Sequence, residues 1–230
     1  FFPPKTGYGA LRLAISYEKK GMFHNSNKII RESWVKEKFS NSDFEYILEK
    51  YGSILKHLNK IRVENLMADN DIISTKQMIP LLNDNYRKLI QTRISIKENA
   101  SGIDKMIKNL PEDLKLDPGL SYDRFIYRKN IPLHQSAQNY LIEKSEDAKL
   151  LGDPMLWIKH RSFYSRLAIK NGEIDKAYNI ASNHNVRNIP LKRNLVEIAE
   201  LEWLSGFIAF NFKNDYILSL YHFKQFSEIV

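Results

Sequence analysis

The sequence predicts an all-α chain, an irregular α-solenoid or superhelix of about thirteen helices set in antiparallel hairpins. Three observations predict it. Apolar residues recur at helical spacing in segment after segment, and strand-type alternation is sustained nowhere. Glycine and proline are scarce, 9 and 8 in 230 residues, which disfavours a turn-rich β-sandwich and suits long helices. A chain-breaking residue is followed five positions later by a small one at Gly21/Ser26, Gly172/Ala177 and Asn214/Ser219. A turn and then a small residue is what two antiparallel helices need in order to approach closely. The pair Asn130 and Ala137 is a poorer copy, and the middle of the chain, from Asp43 to Leu110, does not follow the period, so a regular repeat array is not expected.

The elements follow in order. Ala10, Leu11, Leu13, Ala14, Ile15 and Tyr17 form the apolar stripe of a first helix that Gly21 ends as a C-cap residue. A second helix offers Phe23, Ile29, Ile30, Trp34 and Val35 for burial. Ser42-Asp43 opens a third, carrying Phe44, Ile47, Leu48 and Tyr51 and ending at Gly52. Residues 55–67 read as a helix with Leu55, Leu58, Ile61 and Leu66 inward; 74–82 follows, weakened by Pro80. Asp84 caps a long helix with Tyr86, Leu89, Ile90 and Ile94, and 102–110 is short and stops at Pro111. Asp117-Pro118 and Asp153-Pro154 are twin helix starts, Asp as N-cap and Pro in the first turn. The first carries Leu120, Tyr122, Phe125, Ile126 and Tyr127; the second runs through Trp157, Phe163, Tyr164 and Leu167 to Asn171-Gly172. Residues 133–144 form a helix between them, 173–182 pairs with the second, and 191–211 and 216–228 close the chain.

The length suits a single domain, 1–230, with a possible division into irregular helices (1–113) and regular hairpins (114–230). The absence of cysteine excludes disulfides, thiol catalysis and Cys-type zinc sites. The net charge of +8 is spread over nearly every segment with no run of five basic residues, which describes a solvated surface and not a nucleic-acid site. The longest apolar stretch, 203–212, is interrupted by Ser205 and Gly206 and falls short of the ~18–20 residues that span a bilayer, so no transmembrane segment is expected. The start at Phe1, without Met or signal peptide, reads as that of a fragment.

The last hairpin is the most informative. Phe210 lies seven residues after Trp203, Ser219 sixteen after it, and Phe223 and Phe226 follow at four and three more. Tetratricopeptide-type hairpins keep this spacing of aromatic, small residue and aromatic. Trp203, Phe210 and Phe223 are therefore expected in the groove between two helices, with Gly206 and Ser219 allowing close approach. With the helices placed, a family resemblance emerges from Leu114-Lys-Leu-Asp-Pro-Gly-Leu-Ser-Tyr-Asp-Arg, Gly152-Asp-Pro-Met-Leu-Trp, the stretch from Arg166 to His184, Ala199-Glu-Leu-Glu-Trp-Leu-Ser-Gly-Phe-Ile-Ala-Phe, and His222-Phe-Lys-Gln-Phe. In this order they resemble the superhelical N-terminal domain of the soluble lytic murein transglycosylases, and Ile90-Gln-Thr-Arg-Ile-Ser-Ile and Gly102-Ile-Asp-Lys-Met-Ile extend the likeness upstream. Ser219 stands where the family usually has Ala and Phe207 where it often has Trp, while 194–199 departs further. The resemblance implies a periplasmic enzyme of a Gram-negative bacterium that cleaves the MurNAc–GlcNAc β-1,4 bond of peptidoglycan without water, leaving a 1,6-anhydro-muramoyl end. In the family a following lysozyme-like domain carries the single catalytic Glu. This chain is expected to stop where that domain would begin, to hold no catalytic residue, and to meet glycan strands through the parent enzyme.

The residues themselves offer little chemistry. Arg31-Glu32-Ser33-Trp34 contains the Glu-Ser pair that opens the family's catalytic motif, but no Gly-Leu-Met-Gln follows it, and Glu32 reads as a surface residue. His24, His57, His134, His160, His184 and His222 show no metal-ligand spacing, and no phosphate-binding glycine loop occurs, so neither metal nor cofactor is expected. Glu202, beside Trp203 in an apolar stretch, needs a partner if buried, and Arg161 or Arg166 is expected to provide it. Lys159, Arg161 and Arg166, with Arg128 and Lys129, are the candidates for a glycan-facing basic surface. Trp157 and Tyr164, at helical spacing, are expected in the core, and Gly172 and Ala177 are expected as the break and the small packing residue of the hairpin before the last. The competing expectation is a helical-repeat adaptor that binds a protein in its groove.

Overall fold

The computed structural model describes residues 4–131, 133–186 and 194–230. All regular structure among them is helical: α1 (Gly7–Lys19), α2 (Phe23–Lys36), α3 (Asn41–Leu55), α4 (Asn59–Ala68), α5 (Ile72–Met78), α6 (Asp84–Lys97), α7 (Ile103–Lys108), α8 (Glu112–Lys115), α9 (Pro118–Asn130), α10 (His134–Ser145), α11 (Ala148–Leu151), α12 (Pro154–Lys170), α13 (Ile174–Ser182), α14 (Leu195–Asn211) and α15 (Tyr216–Ile229). The single-turn helices α8 and α11 are too short to show periodicity in sequence. The expected start of the penultimate helix, 191–193, lies outside the described residues. No described helix is long and apolar enough to cross a membrane.

The caps explain most boundaries. Asp117 and Asp153 accept from the amides of Leu120 (2.8 Å) and Met155 (2.9 Å), with proline in the first turn of each helix. Ser40, rather than Ser42, caps α3, and the helix runs through Gly52 to Leu55. Asn83 caps α6 by accepting from Tyr86 N at 2.9 Å, which leaves Asp84 inside the helix. A 3₁₀ turn at Lys56–Leu58 resets the helical phase before α4. Arg62, Val63, Leu66 and Met67 then face inward, and Ile61, expected inside, is 48% exposed. Phe23, in the first turn of α2, is also exposed.

The chain forms two compact units that meet within α6, one up to Ile94 and one from Ser95. The division falls earlier than the expected 113/114. The last turn of α6 joins the second unit: Lys97 reaches the buried Asp123 of α9 at 3.2 Å.

The first unit is organised around Trp34. Its ring stacks on Phe44 at 5.4 Å, its indole N–H donates to Asn59 Oδ1 at 3.1 Å, and the Arg62 guanidinium lies over it at 4.5 Å. Arg62 is buried without a carboxylate bonded to it. It donates instead to the carbonyls of Trp34 and Glu37 (2.9 Å), at the C-terminal end of α2, where orphan carbonyls collect. Burial pushes its guanidinium down to about 10, so it stays charged at neutral pH.

The second unit has two adjoining cores. Phe125, Ala137, Leu141, Leu151, Trp157, Tyr164 and Ile180 fill one, and Ala168, Ala177, Ala181, Ile198, Leu201, Leu204 and Ile208 the other. Trp157 and Tyr164 are buried as expected, and Trp157 donates to Leu151 O at 2.9 Å. Pairs α1–α2, α12–α13 and α14–α15 make the most extensive helix contacts in the molecule. Each follows the break-then-small pattern. Gly21, Gly172 and Asn214 have φ of 72°, 77° and 52°, while Ser26, Ala177 and Ser219 are buried.

At Gly206 the approach between α14 and α15 is tight, because a Cβ there would lie 2.8 Å from the Phe223 ring. Gly52, inside α3, has nothing within 4 Å. Gly52→Ala is therefore expected to raise stability by about 1 kcal/mol through helix propensity. At Gly206 the same gain is opposed by about 1–3 kcal/mol of overpacking, so Gly206→Ala is expected to lower stability by up to about 2 kcal/mol. Paired urea melts measure both, and equal gains at the two sites would show that Phe223 does not press on Gly206.

Candidate functional site

Glu202, on α14, is 1% exposed, which puts a carboxylate inside an apolar layer. Its expected arginine partners are elsewhere. Arg161 is fully buried, donating to Ile180 O (2.9 Å) and Ser145 Oγ (2.7 Å), and burial pushes its guanidinium down to about 9. Arg166 pairs at the surface with Glu200, 2.7 Å away. Two histidines meet Glu202 instead: His184, just after α13, brings Nε2 within 2.9 Å of Oε1, and His222, on α15, brings Nδ1 within 2.6 Å of Oε2. Both imidazoles are buried.

The remaining ring nitrogens assign the protons. Val186 N donates to His184 Nδ1 at 3.3 Å, so His184 carries its proton on Nε2 and donates to Glu202. His222 Nδ1 faces the carboxylate and donates to it, and Tyr178, on α13, places its hydroxyl 2.8 Å from the opposite nitrogen, Nε2. A hydrogen-bonded chain thus runs from Tyr178 through His222 to Glu202 and on to His184, joining α13, the segment after it, α14 and α15. The order hydroxyl, imidazole, carboxylate is that of an activated nucleophile. Here the imidazole is only 1% exposed, and the array edges a shallow cleft of about 450 Å³ with Asp175, Asn179 and Tyr221. Its geometry suits holding helices together. No metal-binding group of three occurs among the described residues. The histidine nitrogens face the carboxylate, Val186 N and the phenol, so their lone pairs do not converge.

His184 and His222 were not singled out in the sequence. The available signal for His222 was its place three residues after Ser219, on the α15 stripe that faces α14. His184 lies in an irregular segment and gave no periodic signal.

The other selected residues divide. Gly206, Ser219 and Ala177 are buried at helix contacts, and Gly172 is the left-handed residue just after Asn171, the C-cap of α12. Phe223 is half-buried against Gly206. Trp203 and Phe210, expected in the groove, are 41% and 50% exposed. α14 spends one face on the core through Leu201, Leu204 and Ile208 and another on α15 through Glu202, Gly206 and Ala209. Val196, Trp203 and Phe210, seven apart, are left on the third. There Trp203 stacks on Phe207 at 5.2 Å and Phe210 meets Tyr216 edge-on at 5.5 Å. Glu32 is exposed on α2, as a surface residue would be.

Of the glycan-facing trio, Arg161 is removed by its burial, which leaves Lys159 and Arg166 exposed. Lys159 acts with Lys129 on His160, which is 7% exposed against Phe125, 5.2 Å away. Burial, and then these two positive charges, push the His160 imidazole down to about 4. Comparison with family models, with curated proteins and with solved structures returns no match for this chain.

Two outcomes follow from these geometries. Glu202→Ala strands two buried imidazole N–H donors and is expected to cost about 3–5 kcal/mol in a urea melt. Glu202→Gln can accept from only one histidine and is expected to cost less. A loss below about 1 kcal/mol for the alanine variant would contradict the burial of this network. Neutral His160 stabilises the fold fully above pH ~6.5, where the unfolded chain is neutral too. As pH falls from ~6.5 toward 4 the unfolded state binds a proton that the folded state refuses, so about 3 kcal/mol is lost. His160→Phe is expected to flatten that part of the stability–pH curve, and an unchanged slope would contradict it.

Proposed function

We propose that this chain is the helical scaffold portion of a periplasmic lytic murein transglycosylase, positioning peptidoglycan strands while a lysozyme-like domain elsewhere in the parent enzyme cleaves them. The observation that supports it most is an ordered one. The segments that resemble the family lie in order on α9, α12, α13, α14 and α15, with both Asp-Pro starts used as caps and both closing hairpins built on a left-handed break and a buried small residue. In this reading the hairpins stack as an irregular superhelix, and the exposed cations Lys159 and Arg166 contribute a surface for anionic glycan–peptide strands. The buried Glu202 belongs to the wall and takes no part in bond cleavage.

A second reading, a helical adaptor for a protein partner, is favoured by one feature. The outer face of the last hairpin exposes Trp203, Phe210, Tyr216, Ile217 and Leu220 together.

Co-sedimentation with purified sacculi tests the first reading. The purified chain is expected to sediment with sacculi, less so as salt rises, and to release no 1,6-anhydro-muropeptides. Release of anhydro products would overturn the non-catalytic assignment, and absence of co-sedimentation would overturn the strand-positioning role.

A further inference from the structure

A cavity of about 540 Å³ opens in the second unit between α7, α9 and the start of α10. Two arginines of α9, Arg124 and Arg128, line it from positions one helical turn apart. Like charges at this spacing repel, and among the described residues neither guanidinium forms an ion pair, although Tyr140 and Glu143 act favourably on Arg128. Both rest against the ring of Tyr140, with centroid distances of 5.2 Å for Arg124 and 4.3 Å for Arg128. Packing on the ring fixes their planes while leaving N–H groups to donate. Arg128 Nη1 is sealed from solvent and has no hydrogen-bond partner. A sealed, unfilled guanidinium donor is costly, because hydrogen-bonding capacity lost to burial is not regained. Burial, followed by the charge of Arg124, also holds the Arg128 guanidinium below its ordinary range, the direction that a bound anion would reverse.

The rest of the lining narrows the ligand. Ile103, Ile107 and Ile131 form an apolar wall, and Ser136 adds a hydroxyl. Asp104 lines the same cavity, so two positive charges face one negative. That balance is a net charge of +1, which a monoanion neutralises and a dianion overshoots. Glu143 acts on Arg128 as well but is engaged with Lys144 at 2.8 Å. Paired guanidinium forks match the planar geometry of a carboxylate, and the volume is that of a small-molecule site.

We propose that the cavity lined by Arg124 and Arg128 binds a small monocarboxylate with an apolar body, of about the size of a blocked dipeptide. The carboxylate sits across the two guanidiniums. The apolar body lies on the isoleucine wall. This assignment stands on the cavity alone and does not depend on the murein reading.

Titration of the full chain with N-acetyl-Ala-Ala, followed by ¹H–¹⁵N correlation spectra, is the test. The C-terminal amide of the same dipeptide and inorganic phosphate serve as the other arms. The free acid is expected to shift resonances of α7, α9 and α10, with the amide and phosphate at least tenfold weaker. Arg124→Gln and Arg128→Gln should each weaken the acid about tenfold. Arg128→Lys, which keeps the charge, should retain part of the affinity, and circular dichroism checks that every variant remains folded. Equal binding of acid and amide, phosphate binding as strong as the acid, no binding of the acid, or full binding by the folded glutamine variants would each overturn the proposal. The ligands are soluble and no sacculus is present, so failure here leaves the sacculus result untouched, and the reverse holds as well.

Discussion

Glu202 sets the terms for the C-terminal part of the molecule. A carboxylate removed from water costs several kcal/mol unless its oxygens are filled, and breaking such a pair costs more than never having built it. Here each oxygen receives an imidazole N–H, and the second nitrogen of each ring is filled in turn by Tyr178 or Val186. These demands fix geometry. His222 must face α14, which fixes the rotation of α15. The next residue, Phe223, then meets the helix at Gly206, the one residue type there that admits a ring so close. Tyr178 draws α13 into the same network. An interaction with little room for error thereby couples three helices that hydrophobic burial alone would leave free to slide.

A related device recurs with arginine. Arg62 in the first unit and Arg161 in the second are buried without a carboxylate bonded to them, and each donates to carbonyls near a helix C-terminus: Trp34 and Glu37 for α2, Ile180 for α13. The partial negative charge of a helix end, with its orphan carbonyls, takes the place of a counter-ion. Asn183 and Asn185 do the same for Ser145 O at the end of α10, at 3.1 and 3.0 Å. In a chain of many short helices the ends are numerous, and buried side-chain donors are a consistent way to close them.

Local signals in the sequence were legible where physics is local. The Asp-Pro starts at 117 and 153 and the break-then-small pattern at 172/177 and 214/219 are decided within a few residues, and the structure uses them directly. The need of Glu202 for a buried partner was legible too, from one charge in an apolar run. The partner was not, because His184 and His222 lie 18 and 20 residues away and meet Glu202 only through tertiary packing. Ile61 failed for a different reason: the 3₁₀ turn before α4 shifts the phase, and periodicity read across it points to the wrong face. Trp203 and Phe210 failed because α14 buries two faces and not one, so an aromatic stripe at correct spacing falls on the third.

Glu202 and His222 act as one unit in holding α14 to α15. A double-mutant cycle on Glu202→Gln and His222→Gln, read by urea unfolding at pH 7, isolates their interaction from the cost of each change alone. A coupling energy of about 1–3 kcal/mol is expected, with the double variant less damaged than the sum of the single ones. Additive losses would contradict it, and would mean that the two side chains are buried side by side without depending on each other.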